Sequence, residues 1–133
     1  MPKPKSSAAP STAFTAVDLF CGAGGFALGL ERAGFDVLLA VDSWQLAVDS
    51  YAQNFAHPVL CADLAAMAGR DILRRAGVKK GEVDLVVGGP PCQGFSVQRR
   101  GGKGDVRNSL PLEFARLVEG IRPAFFLFEN VPG

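Results

Sequence analysis

The sequence predicts an α/β fold, doubly wound around a mainly parallel sheet. Short apolar runs alternate with segments of helical periodicity along most of the chain, and the runs are apolar at successive positions rather than at every second one. A strand with apolar side chains on both faces must be covered on both faces, as in parallel sheets with helices on either side. Punctuation agrees: Gly34, Gly77 and Gly120 stand where helices are expected to stop.

Met1 to Ala13 is rich in Pro, Ser and Ala, carries Lys3 and Lys5, and reads as a solvated tail before a domain over 14–133. Thr15 to Phe20 reads as a first strand running into the glycine-rich turn Cys21-Gly22-Ala23-Gly24-Gly25. Phe26 to Ala33 is a helix, and Phe35 to Val41 a second strand closed by Asp42. Ser43 is a plausible cap for a helix over Trp44 to Phe55, where Leu46, Ala47, Tyr51 and Phe55 share a face. Pro58 to Cys61 is a short third strand, followed by Asp63-Leu64 and a helix over Ala65 to Ala76. Val83 to Val87 is a fourth strand, halted by Gly88-Gly89-Pro90-Pro91, since proline donates nothing to a sheet ladder. Gln93 to Val106 shows no periodicity. Leu110 to Glu119 returns to helical spacing and ends at Gly120, and Ala124 to Phe128 is a last strand leading into Glu129.

Composition excludes several classes. A chain of 133 residues, 48% hydrophobic with mean hydropathy +0.19, has the size and apolar content for one buried core. The net charge of +1 leaves any nucleic-acid footprint local. Three cysteines and one histidine, without framework spacing, argue against a disulfide scaffold or a zinc site, and suit a reducing compartment such as the cytoplasm. No apolar stretch approaches the length of a membrane span.

The chemistry gathers at strand ends. Asp18, Asp42, Asp63, Cys92 and Glu129 each follow or close an apolar run, and a parallel sheet brings such ends to one edge. Gly22, Gly24 and Ala27 hold the spacing Gly-x-Gly-x-x-Gly/Ala, with Asp42 roughly twenty residues on as an acceptor for ribose hydroxyls. By itself this fits a nicotinamide dinucleotide as well as another adenosine cofactor. The carboxylate of Asp18 disfavours a pyrophosphate and suits a cationic sulfonium with an amino-acid tail. Pro90-Pro91 delivers Cys92 onto a fixed corner, a position suited to a nucleophile.

Asp18-Leu19-Phe20-Cys21-Gly22-Ala23-Gly24-Gly25, Pro90-Pro91-Cys92-Gln93 and Glu129-Asn130-Val131 resemble the first, fourth and sixth motifs of the DNA cytosine-5 methyltransferases, in order and spacing from about Val17 onward. The resemblance implies a Rossmann-like methyltransferase fold, incomplete at its C-terminal end, with S-adenosyl-L-methionine as methyl donor. It implies as partner a double-stranded DNA with a flipped cytosine, a role in restriction-modification or epigenetic marking, and a cytoplasmic setting, nucleoid-associated if the source is bacterial. Phe20, Gly22, Gly24 and Gly25 would bracket the cofactor, with Asp18 near its methionine end. Asp42 stands where relatives carry Glu on the ribose, and Ser43 then Trp44 where they carry a bulky apolar residue on the adenine. Asp63 matches the acceptor from the adenine amino group and Leu64 its apolar neighbour. Pro91 is placed beside the cofactor by the same resemblance. Asp105 to Leu110 is similar to the fifth motif, which puts Leu110 near the cofactor.

The residue chemistry agrees with that assignment. A Cys92 thiolate adding to cytosine carbon 6 raises electron density at carbon 5 and forms a covalent intermediate. Glu129, after the apolar Phe125-Phe126-Leu127-Phe128, is expected to be desolvated and to hold the ring nitrogen 3 edge. Gln93, Ser96, Arg99, Arg100 and Lys103 occupy a glycine-rich loop suited to closing over DNA phosphates. Relatives continue beyond the point equivalent to Gly133, so the chain is expected to need a complementary C-terminal region and to methylate no DNA alone. Two other functions compete: the same chemistry on transfer RNA, and a dinucleotide-binding oxidoreductase or cofactor-binding module.

Overall fold

The computed structural model describes residues 13–91 and 110–130. Five strands form one parallel sheet in the order β3-β2-β1-β4-β5. In chain order they are β1 (Thr15–Leu19), β2 (Asp36–Asp42), β3 (Val59–Cys61), β4 (Leu85–Gly88) and β5 (Phe125–Phe128), with helices α1 (Gly25–Arg32), α2 (Gln45–Asn54), α3 (Gly69–Ala76) and α4 (Leu110–Ile121). The chain steps outward from β1 to β3, then returns to the other side of β1. Strand order therefore reverses between β1 and β4, the kind of position where doubly wound sheets bind ligands.

Alternation along β1 sorts the two layers. Val17 and Leu19 join Leu39, Val41 and Val86 in a core closed by Ile72 and Leu73 of α3 and by Phe114, Leu117 and Ile121 of α4. Ala16, Val37 and Val87 face the opposite way, against Leu30 of α1, and Ala40 meets Ala27 and Tyr51 of α1 and α2. The doubly wound prediction holds for β1, β2 and β4.

Several boundaries differ from expectation, each for a physical reason. The helix expected over 65–76 is two pieces: a 3-10 turn at Leu64–Ala66, with the Asp63 carboxylate accepting from Ala65 N–H, and then α3. The break lets Asp71 cap the start of α3 by accepting from Ala68 N–H, which holds its carboxyl below the usual range. Gly120 does not end α4. A Cβ on Gly69 would lie 2.6 Å from the Gly120 backbone, so both glycines are where α3 and α4 touch backbone to backbone. The helix continues to Ile121, and Arg122 takes the left-handed turn at φ 59°. Ser43 does not cap α2; Trp44 occupies that position, and its N–H is taken by the carboxylate of Asp42 at 2.8 Å. Leu46, expected on the buried face, is exposed, while Ala47, Val48 and Tyr51 are buried.

β5 departs most. It pairs only with β4, and Phe125, Phe126 and Leu127 are 74%, 62% and 49% exposed. Phe126 and Phe128 reach Phe114 of α4 on one face, while Phe125 and Leu127, on the other, stay largely open among the described residues.

Candidate active site

The site begins with the backbone after β1. Phe20 turns the chain at φ 56°, a left-handed conformation that is costly for a bulky residue and found at sites where tertiary structure holds it. Gly22 and Gly24 follow at φ 54° and 108°, where glycine carries no such cost. The turn is closed by Gly24 N–H to Cys21 C=O at 3.1 Å and tied to the sheet by Cys21 N–H to Val41 C=O at 3.0 Å.

Asp42 sits at the centre of these contacts. One carboxylate oxygen accepts from Gly22 N–H at 2.9 Å and the other from Trp44 N–H at 2.8 Å. The acid read from the sequence as a ribose acceptor therefore also joins the glycine turn to the start of α2. Each oxygen keeps a second lone pair for a hydroxyl donor.

Around this acid lies a small cleft, lined by Phe20, Asp42, Ser43, Ala62, Asp63, Leu64, Pro91 and Leu110. The ends of β1, β2, β3 and β4 and the start of α4 all contribute to it. Six residues expected from sequence to hold a cofactor converge here: Phe20, Asp42, Asp63, Leu64, Pro91 and Leu110. Ser43 lines the wall, whereas Trp44, 64% exposed, does not. Ala62 was missed. A small apolar residue carries no sequence signal, and it reaches the cleft because its N–H pairs with Asp42 C=O at 2.9 Å.

Asp18 lies behind the turn, in β1 between Ala40 of β2 and Val87 of β4, and is fully buried. Neither carboxylate oxygen has a hydrogen-bond partner among the described residues. Burial, reinforced by the charge of Asp42, pushes its carboxyl up to about 7. The simple expectation of a fixed negative charge is corrected: near neutrality Asp18 is poised between its two forms. Cys21 is also buried, and burial together with Asp18 and Asp42 drives its thiol far above the ordinary range, so it is no nucleophile. Cys61 is exposed at the end of β3.

Glu129 follows β5, held by its N–H to Gly88 C=O at 2.9 Å. Its carboxyl packs on Gly89, where a Cβ would lie 2.7 Å from Oε2. The expected desolvation is not found: Glu129 is exposed, because the apolar strand before it is itself exposed. Cys92, Gln93, Ser96, Arg99, Arg100 and Lys103 lie outside the described residues. Among the described residues no cluster of His, Cys, Asp or Glu is disposed to hold a metal ion, and no helix is long and apolar enough to cross a membrane.

The family profile of the C-5 cytosine-specific DNA methylases matches residues 14–133. The chain belongs to this family. It is 47% identical over 121 residues to the Type II methyltransferase M1.HphI of Haemophilus parahaemolyticus, covering 88% of this chain and 32% of the relative. It is 43% identical over 115 residues to the Type II methyltransferase M.HgiDI of Herpetosiphon aurantiacus, covering 86% of this chain and 36% of the relative. Among solved structures, a protein encoded within an E. coli prophage and described as a DNA modification methyltransferase superposes with a TM-score of 0.78 at 41% identity, over 91% of this chain and 33% of that one. The chain thus spans about a third of the length of these methylase relatives.

Proposed function

We propose that this chain forms the cofactor-binding and catalytic part of an enzyme that methylates carbon 5 of cytosine in DNA, with S-adenosyl-L-methionine as donor. One observation carries the reading. Pro91, adjacent to Cys92, lines the same cleft as the predicted cofactor residues, while the Glu129 carboxyl lies against Gly89, three residues before Cys92. The chain leading into Cys92 and the carboxyl of Glu129, far apart in sequence, thus approach the end of the same strand, which supports a shared role.

The residues suit that cofactor. Asp42 and Asp63 accept from hydroxyl and amino donors, and Phe20, Leu64 and Leu110 offer apolar walls. Bound there, the donor supplies an electrophilic methyl group on sulfur. The Cys92 thiolate adds to carbon 6 of a flipped cytosine, and Glu129 gives a proton to ring nitrogen 3 as negative charge develops there. After methyl transfer, removal of the carbon 5 proton expels the thiolate. Gln93, Ser96, Arg99, Arg100 and Lys103 act on the DNA backbone in this reading.

The exposed Phe125 and Leu127 of β5 support a further element of the proposal: the working enzyme includes a C-terminal region that covers them, and the chain alone methylates no DNA. The test is trapping on fluorocytosine-containing oligonucleotides by this chain supplemented with the C-terminal remainder of a close relative. A DNA adduct at Cys92, lost in Cys92→Ser, is expected. An RNA adduct alone transfers the reaction to transfer RNA, and binding of NAD without S-adenosylmethionine removes the methyltransferase reading.

A further inference from the structure

α1 is fastened to α2 at both of its ends, and the fastening runs through the single histidine of the sequence. At its start, Gly24 sits directly on two aromatic rings of α2 and its C-terminal flank. A Cβ there would meet Phe55 at 2.3 Å and Tyr51 at 3.1 Å. At its end, Glu31 accepts from His57 Nδ1 at 3.1 Å, and His57 Nε2 is hydrogen-bonded to the hydroxyl of the fully buried Tyr51. A neutral imidazole satisfies both contacts at once, donating through Nδ1–H and accepting through Nε2. Tyr51, Phe55 and His57 pack as one aromatic cluster, with centroids 4.7 to 5.3 Å apart.

We propose that Glu31, His57 and Tyr51 are positioning residues for the glycine turn: they hold the aromatic platform on which Gly24 rests, and so set the backbone of Gly22 to Gly25 for the cofactor. The contacts form a closed loop. The turn opens α1, α1 carries Glu31, Glu31 holds His57, His57 holds Tyr51, and Tyr51 with Phe55 supports the turn. The hydrogen-bonded half of this loop lies near the far end of α1 from the cleft, so none of its three polar groups needs to touch a ligand. With the network broken, the rings gain freedom and the turn loses its floor. The sheet itself does not depend on these contacts, because β1 is held by β2 and β4.

The link to the cofactor rests on the function proposed above; the link to the turn does not, and one experiment separates them. Amide hydrogen exchange followed by NMR on the ligand-free chain reads the N–H groups of Gly22, Gly24 and Leu28, bonded to Asp42, Cys21 and Gly24 respectively. In Tyr51→Phe, which keeps the ring and removes only the hydroxyl, and in His57→Ala, these amides are expected to exchange about tenfold faster while those of Val86 and Val87 in β4 hold their rates. His57→Gln, retaining a donor and an acceptor, restores most of the protection. Unchanged exchange at the turn in Tyr51→Phe, or equal acceleration in turn and β4, overturns the proposal. Calorimetric titration of the same proteins with S-adenosylmethionine is expected to show about tenfold weaker binding in Tyr51→Phe. If the parent chain does not bind it, the cofactor reading falls while the exchange result still decides the clamp.

Discussion

β1 and β5 are both short apolar parallel strands, yet they have opposite surroundings. Val17 and Leu19 of β1 are fully buried, whereas Phe125 of β5 is three-quarters exposed and its two neighbours are about half exposed or more. β1 is paired on both sides and sandwiched between helix layers; β5 is an edge with one partner. An apolar strand states that something covers it in the working molecule, without stating that the cover belongs to the same stretch of chain. The same contrast divides the chemistry. The β1 side delivers a formed turn, a bracketing acid and a buried carboxyl, and the β5 side an exposed Glu129.

That contrast sets the expected effects of substitution, the largest first. Leu19→Ala removes a fully buried side chain from the main core and is expected to cost about 3 kcal/mol in urea unfolding; Leu127→Ala in β5 is expected to cost well under half of that. Equal costs would break the comparison. Addition of the proposed C-terminal region should raise the cost at Leu127 while leaving Leu19 unchanged.

Gly24→Ala places a methyl group against Phe55 in a backbone conformation L-residues avoid, and is expected to lose about 2 kcal/mol of stability together with affinity for S-adenosylmethionine. A neutral result in melting and calorimetric titration would show the turn to be pliant.

Asp18→Asn sharpens the electrostatic half. The folded carboxyl is raised to about 7 from an ordinary value near 4, so between those pH values the folded chain holds more protons than the unfolded one. The stability tied to neutral Asp18 is complete below about pH 4 and is lost as pH rises through 7. Asp18→Asn, which cannot ionise, is accordingly expected to gain on the parent between pH 5 and 8, by on the order of 1 to 2 kcal/mol after the cost of an unpaired buried amide. A parent and variant with parallel stability–pH curves would refute it.

Phe125→Lys is the smallest change, within about 0.5 kcal/mol of the parent, with reduced self-association in sedimentation. A large loss of stability would mean that the exposed face of β5 is already supported within the chain.

Much of this was legible beforehand. Alternation of strand and helix, continuous apolarity in the strands and glycines after α1 and α3 sufficed for the fold class and most element positions, because these are local or near-local properties. Phe20, Asp42, Asp63, Leu64, Pro91 and Leu110 were expected in one place, and the parallel arrangement puts them there. The errors came where distant contacts overrode local preference. Gly120 looks like a helix stop until Gly69 packs against it, and Ser43 looks like a cap although α2 begins one residue later, after Trp44 in extended backbone. Glu129 was expected to be desolvated from the hydrophobicity of its own strand, but desolvation requires neighbours in space.

The order of residue types along the chain was enough to determine the winding of the sheet and the edge on which its polar groups collect, since periodicity and strand direction follow from the backbone. The burial of Asp18, the double engagement of Asp42, the seat of Gly24 on Tyr51 and Phe55, and the open face of β5 were decided only by the tertiary structure. Each depends on which atoms from remote segments occupy the surrounding few ångströms, and solvation, proton affinity and steric fit are set at that range.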